Sequence, residues 1–252
     1  MTPPPTPPPP LVTTAYERGI ATLTLDSPAN RNALSARLVG TLRDALTACA
    51  EDPSVRAVVL THTGTTFSAG ADLKAPASPY TFVALMRQIV ELPKPVVARV
   101  SGHVRAGGLG LLGACDIAIA DRGSDFAFTE VRIGVAPAVI ALPLLARVEP
   151  RAAARYYLTG EVFDAARAAA AGLITEAADD VDAALAPVLD GLRRASPQGL
   201  AESKKLLTVG VLDAFDRYAE DAVQRSASLF MSAQAREGIT AFLERRDASW
   251  VL

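Results

Sequence analysis

From residue 20 onward, Ala21-Thr22-Leu23-Thr24-Leu25-Asp26 alternates apolar with polar, the period of a half-buried strand, and residues 27–32 (SPANRN) supply a turn. The period then changes. Leu38, Leu42, Ala45 and Cys49 recur at spacings of four, three and four, which draws one apolar stripe on a helix with Ser35 as its cap and Asp52-Pro53 as its end. Residues 55–61 (VRAVVLT) are short, β-branched and mostly apolar, and so predict a buried strand; residues 63–72 (TGTTFSAGAD) read as a loop. A helical stretch near 82–90 precedes a strand introduced by Pro93 and Pro95. Then come a glycine-rich turn running into a short helix at 103–116, a strand at 117–121 and another at 124–130. From Pro137 onward the pattern is read as wholly helical.

Strand and helix segments that alternate in this way predict an α/β core with largely buried parallel strands. Residues 1–12, with seven prolines among the first ten, are expected to be a disordered, polyproline-like tail; residues 13–194 the α/β core; residues 195–252 a helical subdomain. Leu206, Leu207, Val211, Phe215, Leu229, Phe230 and Phe242 give that last segment more apolar surface than an appended helical pair can bury, which points to self-association. No fixed-period repeat is present.

The 252 residues are 50% hydrophobic and 21% charged, which excludes disorder beyond the tail. A net charge of −2 argues against nucleic acid or an anionic membrane as the main partner. Cys49 and Cys115 stand alone, with no CxxC and no ligand-spaced histidines, so neither a disulfide framework nor a structural metal is indicated. No apolar run reaches the roughly 20 residues of a membrane span, and the N-terminus lacks the basic and apolar regions of a signal peptide. A cytoplasmic location is expected.

Gly108-Leu109-Gly110-Leu111-Leu112-Gly113 matches G-x-G-x-x-G, but its surroundings do not suit a nicotinamide enzyme. Seven residues separate it from the strand ending near Val100, and Asp121 lies only 13 residues beyond Gly108, whereas the ribose-binding acid is expected about 20 further on. The same glycines can instead present bare backbone N–H groups to an oxyanion at a helix start. The loop Phe67-Ser68-Ala69-Gly70-Ala71-Asp72 offers a second such N–H. Taken singly, each loop is better explained as a tight turn in which glycine permits a positive φ.

In order, NRNAL at 30–34, FSAGADLK at 67–74, residues 94–120, FTEVRIGVAP at 128–137 and LTG at 158–160 resemble the successive signatures of the crotonase, or enoyl-CoA hydratase/isomerase, superfamily. The likeness spans residues 20 to 250. It implies a crotonase-like spiral of ββα units with a helical C-terminal oligomerisation region, a homotrimer or hexamer, and an acyl-CoA substrate, with no cofactor beyond the coenzyme A that the substrate carries. Its oxyanion-hole amides fall on Ala71 and Gly107. Its CoA-contacting positions fall on Arg31, Ala33, Ala69, Asp72, Leu73 and Lys74.

The carboxylates depart from that pattern. Hydratases of this superfamily hold water between two glutamates; the second is Glu130 here, while the first position is Gly110. The resemblance therefore implies a 2-enoyl-CoA hydratase that works through Glu130 alone. The alternatives are a Δ3–Δ2 enoyl-CoA isomerase, which needs one carboxylate, and a non-catalytic acyl-CoA-binding oligomer. Residues 101–116 with 128–140 look most like the branch that contains methylglutaconyl-CoA hydratases. A side chain at position 110 is expected to point toward Glu130 and to be tolerated, with the vacated space taken by a C3-branched acyl group. Of the remaining polar residues, His103 is read as a structural hydrogen-bonding group, and Arg105 as a partner for a protein carboxylate ahead of a substrate one.

Overall fold

The computed structural model describes residues 10–252. β1 (Val12–Glu17) and β2 (Ile20–Leu25) form a hairpin, and a 3₁₀ turn at Pro28–Asn30 leads to α1 (Ala36–Glu51). There follow β3 (Ala57–His62), β4 (Thr66–Ser68), α2 (Pro79–Glu91), β5 (Val96–Val100), β6 (His103–Arg105), α3 (Gly107–Ala114), β7 (Ile117–Asp121) and β8 (Asp125–Ala127). After a 3₁₀ turn at Glu130–Ile133 come α4 (Ala141–Leu144), α5 (Pro150–Thr159), β9 (Phe163–Asp164), α6 (Ala165–Ala170) and β10 (Glu176–Ala178). Three helices close the chain: α7 (Val181–Arg194), α8 (Pro197–Phe230) and α9 (Ala233–Glu244).

Three successive units share one plan. In β3–β4, β5–β6 and β7–β8 the first strand joins a six-stranded sheet of order β1-β2-β3-β5-β7-β10 and the second joins a four-stranded sheet of order β4-β6-β8-β9. The result is a spiral of ββα units, as expected. Helices cover both faces of the larger sheet, which is why its central strands read as continuous apolar runs. Val58, Leu60, Val96, Ala98, Ala118 and Ala120 point into the main core, while Ala57, Val59, Val97 and Ile119 alternate with them and meet Val181 and Leu185 of α7.

Local chemistry sets the helix starts. The Ser35 hydroxyl accepts the Leu38 N–H at 3.2 Å, and Ser78, Glu149, Asp164, Asp180, Ser196 and Ser232 accept in the same way at the heads of α2, α5, α6, α7, α8 and α9. α8 is also fastened near its start. Lys204 sends its ammonium into the core, 2.7 Å from Asp116 and 2.8 and 3.1 Å from the Ile89 and Lys94 carbonyls.

Three expectations change. Residues 1–9 of the expected tail lie outside the described residues, and Val12, placed in that tail, opens β1 and is buried. β9 and β10 interrupt the region read as wholly helical; each is fixed by pairing with a distant strand, β8 and β7, and not by a pattern of its own. Val211 and Phe215, counted toward the self-associating surface, are instead buried with Val223 where α8 packs on the core of its own chain.

Candidate active site

Three parallel strands deliver the site. Ser68 of β4 pairs with Val104 of β6, and Arg105 of β6 pairs with Ala127 of β8, so the chain leaves all three strands at one end of the small sheet. Ala71, Gly107 and Glu130 are the third, second and third residues past those ends. That is where open α/β sheets place ligands.

The first two exits touch. A Cβ on Gly70 would stand 2.8 Å from the Ala106 Cβ and 3.2 Å from the Gly107 nitrogen, and one on Gly107 would stand 3.7 Å from the Ala71 nitrogen. Gly70, at φ +90°, is therefore a position that only glycine fits. Leu34 donates its N–H to Gly70 O at 2.7 Å and takes the Asp72 N–H at 3.5 Å. In such a parallel bridge the intervening residue, Ala71, turns its own N–H away from Leu34. Gly107 is the first residue of α3, so its N–H has no acceptor within the helix. Between β6 and α3 the chain turns at Ala106, at φ +47° and ψ −120°, a conformation that costs a non-glycine residue about 1–3 kcal/mol.

Asn32, fully buried at φ +52°, ties the first turn to the second loop. Its carbonyl oxygen accepts the Ser27 N–H at 2.7 Å and its amide donates to Thr63 O at 3.1 Å and Thr66 O at 2.7 Å. Ser68 donates to Asn32 O at 2.8 Å and accepts the Gly70 N–H at 3.2 Å. These two residues escaped the sequence reading, in which Asn and Ser were only turn formers.

The positions that the resemblance assigns to CoA contact gather along the same edge. Ala69 donates its N–H to Arg31 O at 3.0 Å, which joins the two loops, and Ala33 is buried behind them. The Asp72 carboxylate accepts the Lys74 and Ala75 N–H groups at 2.9 and 3.2 Å, shaping its own loop. Arg31, Leu73 and Lys74 are exposed on the rim.

Glu130 is 8% exposed, and its Oε2 is sealed from solvent without a hydrogen-bond partner. Burial pushes its carboxyl up to about 7, against a smaller opposing effect of its own backbone N–H. The phenol of Tyr157, on α5, is a second buried group without a partner.

Gly110 is tightly packed, so that a side chain there would have to displace its neighbours. A Cβ there would meet Ile140 Cγ2 at 2.7 Å and Met86 Sδ at 2.8 Å, so the tolerance expected at this position, and the vacated space for a branched acyl group, are not found. A Cβ on Gly108 would stand 2.9 Å from Ser68 Cβ, and one on Gly113 2.5 Å from Leu144 Cδ2. The G-x-G-x-x-G run thus serves close packing of α3 on its neighbours.

His103 and Arg105 both engage Asp125, at 2.7 Å each. Burial alone would raise the Asp125 carboxyl, but the hydrogen bonds from His103 and Arg105 outweigh it and hold it below the ordinary range. His62 Nε2 accepts the Ser101 N–H at 3.1 Å, and burial depresses its basicity, so it is a neutral structural imidazole. No group of three or more metal-ligating side chains occurs among the described residues. No helix among them is long and apolar enough to cross a membrane.

Residues 15–251 match the model of the enoyl-CoA hydratase/isomerase family. A Thermus thermophilus protein that carries the name enoyl-CoA hydratase is 34% identical, over 91% of this chain and 97% of its own. The crystal structure of an enoyl-CoA hydratase from Mycobacterium avium is 54% identical and superposes with a TM-score of 0.91 over 96% of this chain and 99% of that one. A carnitinyl-CoA hydratase structure from the same organism is 28% identical, with a TM-score of 0.86 over 96% and 99% of the two chains.

Proposed function

The chain belongs to the enoyl-CoA hydratase/isomerase family, and from that premise we propose that it adds water reversibly across the C2=C3 bond of a 2-enoyl-CoA, with Glu130 as its acid and base. The observation that carries this reading is Glu130 itself: a buried carboxyl with an unsatisfied oxygen, poised near 7, at the same sheet end as two converging backbone amides. A general base works best when its pKa lies near the operating pH.

In this reading the thioester oxygen accepts from the Ala71 and Gly107 N–H groups. Water gives its proton to Glu130 while its oxygen bonds to C3, and the C2=C3 electron pair moves onto the thioester oxygen. The enolate then collapses, taking a proton from Glu130 at C2. Removal of one oxyanion donor typically costs about 10²–10³ in rate. Arg31 and Lys74 are exposed cations on the rim, suited to CoA phosphates, while Ala33, Ala69, Asp72 and Leu73 shape the wall beside them. The named relatives share CoA and differ in acyl group, which supports an acyl-CoA substrate.

Isomerisation of a Δ3 to a Δ2 enoyl-CoA is the second reading, favoured by the closure of Gly110 against a second carboxylate. The likeness to methylglutaconyl-CoA hydratases makes branched enoyl-CoAs part of the substrate screen. Leu206, Leu207, Phe242 and Leu243 are exposed on α8 and α9, which supports assembly into a homotrimer or hexamer, checked by light scattering of the full chain. Glu130→Gln keeps the shape and loses the base, so it should retain CoA binding and lose most turnover. Mass-spectrometric screening of enoyl-CoAs for an 18-unit gain or a double-bond shift reads both activities. Unchanged turnover in Glu130→Gln removes Glu130 from the mechanism, and no turnover with CoA bound favours a binding protein.

A further inference from the structure

Glu130 Oε2 and the Tyr157 hydroxyl are both sealed from solvent, and neither has a hydrogen-bond partner in the protein. Native proteins satisfy the large majority of buried polar side-chain atoms, so two orphans on neighbouring elements point to a polar guest that they share. The elements are neighbours by construction. The Tyr157 ring on α5 packs on Phe128, with centroids 4.4 Å apart, and Phe128 stands two residues before Glu130. On the far side of Glu130, Arg132 Nε donates to Gly160 O at 3.1 Å, at the end of α5. The segment bearing Glu130 is thus held to α5 on both sides, by the Tyr157 ring on Phe128 and by Arg132 on Gly160.

We infer that the Tyr157 hydroxyl is a second substrate-contacting group of this site and that, with Glu130 Oε2, it holds the oxygen that adds to or leaves C3. The inference rests on the proposed hydration and supplies what Gly110 cannot. A phenol offers one donor and two lone pairs, whereas an ionised carboxylate only accepts. A water between them donates one proton to Glu130 and accepts from Tyr157, which fixes the remaining lone pair for attack on C3. As the C3–O bond forms, the first proton passes to Glu130 and the new hydroxyl stays hydrogen-bonded to Tyr157. The phenol keeps its own proton throughout: burial first, and the Glu130 charge second, push its ionisation upward.

Tyr157→Phe removes the hydroxyl and keeps the ring on Phe128. Two rates separate the proposed role from a packing role: hydration of a 2-enoyl-CoA, and exchange of the C2 protons of a saturated acyl-CoA in D2O. The exchange needs Glu130 and the oxyanion amides but no oxygen at C3. The expected result is a fall of about 10- to 100-fold in kcat for hydration, a KM within about twofold and an exchange rate within about twofold of the wild type. An active wild type whose Tyr157→Phe variant hydrates at full rate, or loses hydration and exchange alike, overturns the role of Tyr157 and leaves the proposed function standing. A wild type that hydrates no enoyl-CoA overturns both.

Discussion

Glu130→Gln should make the protein more stable at alkaline pH, and the size and pH range of that gain follow from where the carboxyl sits. The folded chain holds the Glu130 proton up to about 7, whereas an unfolded chain releases it near the ordinary value of 4.5. The difference corresponds to about 3 kcal/mol. Because the folded pKa is the raised one, the favourable contribution is fully present below the unfolded value and is lost as pH rises through about 7. Above that pH the wild type carries a buried, unpaired negative charge. A glutamine at 130 does not titrate and is free of that loss.

The amide brings its own cost or gain, but that offset does not depend on pH, so the slope is diagnostic. Urea unfolding of both proteins between pH 4 and pH 8, at one protein concentration, should show the variant gaining about 3 kcal/mol on the wild type across the range. Fixed concentration matters because assembly would add its own stabilisation. Parallel stability profiles for the two proteins would refute the reasoning, since they would mean that Glu130 ionises alike in the folded and unfolded chains.

The same ionisation should set the acidic limb of kcat/KM, which is expected to rise with pH through about 7; a limb near 4.5 would take Glu130 out of the base role. Gly110→Ala puts a Cβ 2.7 Å from Ile140 and 2.8 Å from Met86, and should cost about 1–3 kcal/mol in spite of the better helix propensity, read by urea unfolding. Unchanged stability would show that both side chains give way freely. Gly70→Ala drives a methyl group into Ala106, at 2.8 Å, and forces an unfavourable φ, so the Gly107 N–H moves off the Ala71 N–H. A variant that folds, as judged by circular dichroism, should lose about 10²–10³ in kcat, and a full rate would separate the two amides from catalysis.

Elements whose periodicity is local were legible in the sequence. The Leu38, Leu42 and Cys49 stripe with its Ser35 cap is α1, and VVLT and VVARV are β3 and β5, because burial on one or both faces leaves a direct imprint on composition. β1 left none. Of its six residues only Val12 is buried, so pairing with β2 holds it in place, as pairing with β7 holds Glu176–Ala178. β4 and β6, three residues each, hid inside segments read as loop and turn. Without them no local pattern shows that residues 71, 107 and 130 leave one sheet at one end. The resemblance supplied those positions before geometry could.

Tyr157 had no local signal at all. It lies 27 residues beyond Glu130 and is brought to the same part of the fold only because α5 is held to the chain on either side of Glu130, at Phe128 and Arg132. The closing of Gly110 was equally invisible, since it depends on Ile140 and Met86 arriving from two other elements. These two facts belong together. Where two carboxylates face each other, repulsion raises one pKa and provides an acid beside a base. Here position 110 is a tightly packed glycine and supplies no second carboxylate, so the pKa of Glu130 is raised by burial, and the orienting hydrogen bond that a second glutamate would have supplied falls to a neutral phenol. A neutral partner does not titrate near pH 7, so hydration should follow a single ionisation on its acidic side.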